Sequence, residues 1–469
     1  MNCWIHRTNW LVVSALAGLV SPPSASAVVL FSVDSVLDQI DDNTADGACH
    51  TAANTCTLRA AVMQANLIVG EDTTIVLPAG TYGLTLPPSG ANGADTGDLN
   101  LTTPVGISPW IAIVGAGEAT TIIDANQLDR VLTVAVNRSA TLARLTLRNG
   151  LRAGAGVEYA GGILNLGTLV LNYCTVSGNA MTAFSVGGGG IYNNGGIFHL
   201  NDSTVSGNTT NASGGGIYNT GTLLVTRSTV TGNTALGPGG GIYDGHELVV
   251  TDSTISLNTT HNDGGGILSF GVPAPIILSS TISLNDAYRN GGGIYSERAN
   301  IYSSTIVANG ADYDADVTGG IGGGVYANGA GPFNLSNTLV AGNTQFNQPI
   351  YDDCFGQLTS YRRNLFGEVS IFCTISVGGG DGWTFINSLA FLGQLDKNGG
   401  PTETIALLPG SNAIDLGDST LGCTGPVNEV LAADQRGAPR AWGVRCDVGA
   451  YEAGTLFFDG FESGDFAGW

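Results

Sequence analysis

The chain has 469 residues, a formal net charge of −22 at pH 7 and 71 glycines. This acidic balance argues against nucleic acids and anionic membranes as partners, because both carry negative charge themselves. Charged residues make up only 12% of the chain. A composition with this many glycines and few charged residues is typical of a β-solenoid with little helix. Because a solenoid grows linearly with length, we expect one elongated domain.

Residues 1–27 have the features of a secretory signal peptide. His6 and Arg7 precede the apolar run Leu11–Val20, and the small residues 25–27 fit a cleavage site. The apolar run is too short to span a bilayer, and no other stretch is long enough. We therefore expect a secreted protein without a transmembrane segment.

Residues 28–70 are predicted to form an N-terminal cap. The segment CTLRAAVMQAN, residues 56–66, places four apolar side chains on one helical face: Leu58, Ala61, Val62 and Ala65. Thr57 is placed to cap the start of this helix. A short helix here would cover the first coil of the solenoid, and residues 71–160 are predicted to form the first, less regular coils.

Residues 161–345 consist of repeats of one sequence unit, which contains two motifs. A GGI, GGGI or GGGV block ends at Ile163, Ile191, Ile217, Ile242, Ile267, Ile294 and Val325. A second motif, typified by STVTGN, ends at Asn179, Asn208, Asn233, Asn258, Asn285, Asn309 and Asn343. Each unit holds three short runs of alternating polarity, which indicate strands, separated by turn residues. The repeat predicts an all-β fold, a right-handed parallel β-helix of the pectate-lyase type with about a dozen coils.

The repeated residues have physical roles in such a coil. Each coil must stack on its neighbours at about 4.8 Å to bury its apolar residues. The glycines permit positive φ at a corner and leave room for the backbone of the next coil. The recurring Asn suits a left-handed turn, and stacked Asn amides can hydrogen-bond from coil to coil.

Cleavage after residue 27 would remove Cys3 from the 8 cysteines and leave 8 − 1 = 7. Six of these fall in three neighbouring pairs: Cys49 and Cys56, Cys354 and Cys373, Cys423 and Cys446. In an oxidising compartment they are interpreted as three local disulfides, although six cysteines allow fifteen pairings. Cys174 stands where later coils have Ser, which favours a buried free thiol over the alternative, a reactive nucleophile.

Residues 346–452 are predicted to form the last coils and a disulfide-bearing C-terminal module. Residues 453–469 leave the solenoid pattern and form an acidic-aromatic tail. This tail is either a sorting signal or an unstructured end.

Several motifs resemble bacterial extracellular families. CTLRAAVMQAN, TIVLPAGTY, GDLNL (Gly97–Leu101) and GAGEATTIIDAN resemble the family named for its N-terminal CSLREA motif, with Ala60 in place of its Glu. Asn398–Glu452 resembles the C-terminal module of bacterial surface proteins whose anchors vary. The GGGI and VxxN phrases are similar to the GGA[ILV] and FxxN repeats of polymorphic outer membrane proteins. The resemblance implies a secreted or outer-surface bacterial β-helix with no well-assigned enzymatic activity.

One outward column of the repeat is a candidate ligand-binding site. If the aliphatic residue of each glycine block points inward, the next residue points outward, which gives Tyr192, Tyr218, Tyr243, Tyr295 and Tyr326. Leu268 interrupts this column. Aromatic rings in a row could hold the sugar rings of a glycan, and the alternative is ordinary stacking between coils.

Acidic residues give a weaker candidate. Asp312, Asp314 and Asp316 resemble the opening of a calcium loop but lack the later Gly and Glu, so the alternative is a solvated acidic loop. No other cofactor is expected. Because no Asp or Glu recurs at a fixed place in the coil, the sequence favours a non-catalytic scaffold for adhesion or for binding glycan or matrix. The alternative is a polysaccharide lyase or glycoside hydrolase on the same fold.

Overall fold

The computed structural model describes residues 28–454 apart from short gaps. The gaps are residues 90–92, 104–108, 154–158, 185, 314–318, 330, 347–349, 379–383, 387, 389, 420–422, 427 and 441–442. The predicted signal peptide, residues 1–27, and the tail from residue 455 onward lie outside the described residues.

The described chain winds into a parallel β-helix in which a regular coil contributes strands to four faces. Equivalent residues of successive coils pair in parallel register, so that Ile217 lies opposite Ile242 and Tyr218 opposite Tyr243. Face 1 follows the glycine block, and faces 2, 3 and 4 follow it in chain order. The predicted fold class is therefore confirmed.

Faces 1 and 2 together form a sheet of 22 strands, because one long strand pairs with both. The strands of face 1 are Leu99–Leu101, Leu132–Val134, Ile163–Asn165, Ile191–Asn193, Ile217–Asn219, Ile242–Asp244, Ile267–Ser269, Ile294–Ser296 and Val325–Ala327. The strands of face 2 are Val28–Ser32, Asp72–Leu77, Trp110–Gly115, Ser139–Ala143, Thr168–Asn172, Ile197–Asn201, Thr222–Thr226, Glu247–Thr251, Ile276–Leu278, Ala299–Tyr302, Phe333–Ser336, Cys354–Ser360 and Cys373–Val377. Cys354–Ser360 is the shared strand.

Faces 3 and 4 are separate sheets of 12 and 9 strands. The strands of face 3 are Gly80–Gly83, Thr121–Asp124, Thr146–Arg148, Thr175–Ser177, Thr204–Ser206, Thr229–Thr231, Thr254–Ser256, Thr281–Ser283, Thr305–Val307, Leu339–Ala341, Asn364–Phe366 and Thr384–Phe385. The strands of face 4 are Leu151–Arg152, Ala180–Met181, Thr209–Thr210, Thr234–Ala235, Thr259–Thr260, Asp286–Ala287, Gly310–Ala311, Thr344–Gln345 and Ile350–Tyr351. Face 3 thus matches the predicted dozen layers, and the regular part with all four faces has about nine turns.

The core is a set of aliphatic columns, one residue per coil. The column that closes the glycine blocks is buried in every coil: Ile163, Ile191, Ile217, Ile242, Ile267, Ile294 and Val325. The same cluster includes the alternate residues of faces 2 and 3, such as Leu223 and Val230. Stacking them from coil to coil removes a continuous apolar surface from water.

The glycine block forms the corner between faces 4 and 1. Gly214 has φ +70°, in the left-handed region that favours glycine. A Cβ on the next residue, Gly215, would lie 2.4 Å from the carbonyl oxygen of Gly240 in the following coil. The block therefore provides both a sharp bend and close backbone approach, as predicted.

The recurring Asn of the second motif forms a buried ladder. Asn208 Nδ2 donates to Asn233 Oδ1 at 3.0 Å, and Asn233 Nδ2 donates to Asn258 Oδ1 at 3.0 Å. The expectation that these Asn residues adopt the left-handed conformation is wrong. The residue before each Asn has positive φ instead, as at Gly232 (64°) and Leu257 (56°), because this bend turns the Asn amide inward onto the ladder.

One α-helix, α1, spans Leu58–Ala65 at the N-terminal end. The Thr57 side chain accepts a hydrogen bond from the backbone N–H of Ala60 and caps the helix. Leu58 and Val62 belong to the same buried cluster as the first coils. The predicted N-terminal capping helix is therefore confirmed. No helix of the described residues is long and apolar enough to cross a membrane.

The C-terminal module lies against face 3. It contains two antiparallel strand pairs: Leu392–Asp396 with Thr404–Leu407, and Cys423–Thr424 with Val430–Leu431. Gln435 accepts a hydrogen bond from Thr281 Oγ1 at 2.6 Å and donates one to Thr254 Oγ1 at 2.9 Å. Face 3 is therefore covered where the module docks on it.

The cysteine pairing agrees with the prediction. The disulfides are Cys49–Cys56, Cys354–Cys373 and Cys423–Cys446. Cys174 is a free, fully buried thiol. Burial raises the pKa of Cys174 to about 12, which keeps the thiol protonated and unreactive at neutral pH.

Candidate functional site

The predicted tyrosine column is present on face 1 and is a stack of rings. The Tyr218 and Tyr243 rings are parallel with centroids 4.5 Å apart, and those of Tyr295 and Tyr326 are 4.8 Å apart. Phe355 continues the second stack, 4.6 Å beyond Tyr326. We call this column the face-1 row; it consists of Tyr192, Tyr218, Tyr243, Tyr295, Tyr326 and Phe355. Most of its ring faces contact neighbouring rings, so it presents mainly ring edges and hydroxyls.

Burial differs along the face-1 row. Tyr192 and Tyr295 are 5% and 9% exposed, whereas Tyr218, Tyr243 and Tyr326 are half-buried. Tyr192 is covered because Tyr159 packs against it, with ring centroids 5.5 Å apart. The alternation of the strand therefore predicted the direction of these side chains but not how much of them solvent reaches.

A second column of stacked rings, on face 4, is absent from the sequence prediction. It consists of His261, Tyr288, Tyr313 and Phe346, and we call it the face-4 row. Centroid separations along it are 4.2, 5.8 and 5.1 Å. The last two rings meet nearly at right angles, 86°, and each is 46% exposed. The signal was available, because each ring follows the Asn ladder by a few residues in its coil.

The two rows flank the glycine corner, and polar groups lie between them. In one coil, only residues 289–294 separate Tyr288 from Tyr295. Asn290 Nδ2 donates to Asp263 Oδ1 of the preceding coil at 2.9 Å. Burial raises the pKa of Tyr295 to about 12, and the Asp263 carboxylate adds to this rise. Aromatic rings beside amide and carboxylate groups can bind a polyhydroxylated ligand by stacking and hydrogen bonding.

A different site lies at the corner between faces 2 and 3. A cavity of about 290 Å³ separates the solenoid from the C-terminal module and is lined by Arg227, Asp252 and Asp434. Burial raises the pKa of Asp252 to about 6. Arg227 forms an ion pair with Asp202 on its other side, at 2.6 Å. A carboxyl group of this kind beside a guanidinium is suited to general acid–base chemistry.

The predicted calcium site is only partly described. Asp312 is fully buried, with φ 58°, and does not lie in a solvated loop. Asp314 and Asp316 lie outside the described residues. Elsewhere in the described chain, Asp418 lies within 4.8 Å of both Cys423 and Cys446, but these two sulfur atoms form a disulfide and are not available to a metal.

Comparisons with known proteins identify no relative. No protein-family model matches the chain, and no curated protein matches it. The crystal structure of pectate lyase Pel9A is similar, at 13% identity over 91% of this chain and 97% of that chain, with a TM-score of 0.40. A likeness this weak carries no functional argument. The parallel β-helix is established by the strand pairing of this chain, and membership of the families that its motifs resemble stays a prediction.

Proposed function

We propose that the protein is a secreted or outer-surface bacterial β-helix that binds an extracellular glycan or matrix component without catalysis, as an adhesin does. The binding surface is the glycine corner with the face-1 and face-4 rows on either side of it. The predicted signal peptide supports export, and the three disulfides are compatible with an oxidising compartment.

The observation that carries the proposal is the exposed end of the face-4 row. Tyr313 and Phe346 are each 46% exposed and meet edge to face, so that one ring turns a face away from the stack. Exposed aromatic groups that contact each other form a contiguous patch, which is more typical of a recognition surface than single exposed groups are. Several rings along one axis would bind successive sugars of a chain, each with a modest free energy.

The alternative is a polysaccharide lyase or glycoside hydrolase acting at the cavity beside Asp252. The raised pKa of that carboxyl, about 6, is the observation that favours it. The two functions make opposite predictions for two sets of residues, because binding depends on rings and catalysis depends on a carboxyl group.

A glycan array scored for both binding and product release tests the proposal. Changing Tyr288 and Tyr313 together to Ala should weaken binding of the captured glycan by roughly tenfold or more, since each ring contributes about 1 kcal/mol. Asp252→Asn should leave binding unchanged. Changing Tyr218 and Tyr243 to Ala compares the face-1 row, which is more enclosed, and should have a smaller effect. Glycan turnover that Asp252→Asn abolishes would overturn the scaffold function in favour of the enzyme.

A further inference from the structure

One residue breaks the pattern of outward residues on face 4. Asp286 pairs in register with Thr259 of the preceding coil and with Gly310 of the following one. Its neighbour Ala287 is fully buried, so Asp286 and Tyr288 on either side of it point outward. The carboxylate therefore lies on the same surface as the face-4 row.

Gly310 makes room for an aromatic ring beside this carboxylate. A Cβ on Gly310 would lie 2.1 Å from Phe346 Cε2 and 2.8 Å from Asp286 Oδ1. The ring and the carboxylate oxygen thus both border the space that a side chain at this position would fill. The next strand residue, Ala311, accepts a hydrogen bond from the backbone N–H of Phe346 at 3.1 Å and helps to hold the ring there.

No cation of the described chain neutralises this carboxylate. No Arg, Lys or His among the described residues forms an ion pair with Asp286, and burial is the cause that raises its pKa to about 7. A carboxylate that is half-enclosed by aromatic and backbone groups, with no cationic partner, is poorly solvated when ionised. A ligand that brings a positive charge would relieve this.

We propose that Asp286, Tyr288, Tyr313 and Phe346 form a binding site for a protonated amine, so that the glycan recognised here carries free amino groups. This proposal rests on the proposed function and names the class of its ligand. An ammonium group beside an ionised carboxylate forms a charge-assisted hydrogen bond, and a ring face next to it adds a cation–π contact. The net charge of −22 also attracts a polycationic glycan and repels a polyuronate.

Calorimetric titration of the mature protein with two oligosaccharides of equal length tests this. The probes are the hexamer of glucosamine and the hexamer of N-acetylglucosamine, which offer similar rings and differ in charge. The glucosamine hexamer should bind about tenfold more tightly, a ratio equal to about 1.4 kcal/mol. Asp286→Asn should remove most of the difference and leave only the part due to the net charge of the protein, while Asp286→Glu should retain more of it. Glu118→Gln is the matched control, because Glu118 is exposed and lies in another coil, and it should retain all of the difference.

The outcomes separate this proposal from the one on which it rests. If both hexamers bind equally and Asp286→Asn changes neither, the amine site is wrong and glycan binding stands. If Asp286→Asn weakens both hexamers alike, the carboxylate has a structural or hydrogen-bonding role and the amine site is again wrong. If neither hexamer binds but the array captures another glycan, the amine class is wrong. If no glycan binds anywhere, the proposed function fails as well.

Discussion

Removing one rung of the Asn ladder should weaken the whole solenoid. Asn258 Oδ1 accepts hydrogen bonds from the backbone N–H and from Nδ2 of Asn233, both at 3.0 Å. Asn258 Nδ2 donates to the carbonyl oxygen of Val230 and to Oδ1 of Asn285, both at 2.9 Å. Asn258 is fully buried, so water cannot replace these partners in Asn258→Ala.

The magnitude follows from the groups left unpaired. Two N–H donors of Asn233 lose their acceptor, and a buried donor without an acceptor costs about 1–3 kcal/mol. We therefore expect the free energy of unfolding to fall by about 2–6 kcal/mol. Equilibrium urea unfolding measures this, with Asn211→Ala as the matched control.

The control loses a hydrogen bond of similar length in a different setting. Asn211 Nδ2 donates to the carbonyl oxygen of Thr182 at 2.8 Å, at an exposed position, where water can take over. Its loss should cost about 1 kcal/mol or less. If Asn258→Ala destabilises no more than Asn211→Ala does, the buried ladder does not hold the coils together and this reasoning is refuted.

Two further outcomes follow from burial. Burial raises the pKa values of four carboxyl groups to about 6 or 7: Asp252, Asp286, Asp353 and Asp447. The pKa of an Asp side chain is near 3.9 in an unfolded chain, so the folded protein should lose stability as pH rises from about 4 to about 7. Its melting temperature should therefore be higher at pH 5 than at pH 8. The reverse order would contradict the burial of these groups. Peptide mapping of exported protein should recover the three disulfides, with Cys174 unreactive toward a thiol reagent until the chain is unfolded; labelling of the native protein would show that this thiol is accessible.

The sequence predicted the coil because the constraint on each coil is local and repeats. At the corner between faces 4 and 1, the residues that bend the chain or admit the backbone of the next coil are glycine in nearly every coil. Bends elsewhere in the coil are also made by other residues, such as Leu257. The residues that fill the core are mostly Ile, Val and Leu. Thr57 and the helix after it were equally predictable, because capping depends on the first few residues alone. The inward direction of Ile217 and the outward direction of Tyr218 follow from the same alternation.

The sequence could not predict what covers each column. Tyr192 and Tyr243 occupy equivalent places in two coils, yet Tyr192 is buried because Tyr159, from a segment outside the regular strands, packs over it. Thr254 lies under a module from a distant part of the chain. Neither segment is part of the repeat, so the spacing of the repeat does not predict where the segment packs. The sequence analysis did not predict the positive φ of the residue before each Asn, because the repeat pattern does not show which residue of the turn adopts the left-handed conformation.

The same reasoning explains where a function can lie in such a protein. Along a column, identical side chains of successive coils interact with each other: amides donate hydrogen bonds to amides, and rings stack on rings. A residue that departs from its column gives up this mutual support, as Asp286 does between Thr259 and Gly310. Asp286 remains ionisable, half-enclosed and without a cationic partner in the described chain, so the coil itself gains little from it. A ligand that supplies a positive charge would stabilise a position of this kind. A break in a column that lies beside exposed rings, as Asp286 does, therefore adds specificity to a surface on which the rings alone would bind many glycans alike.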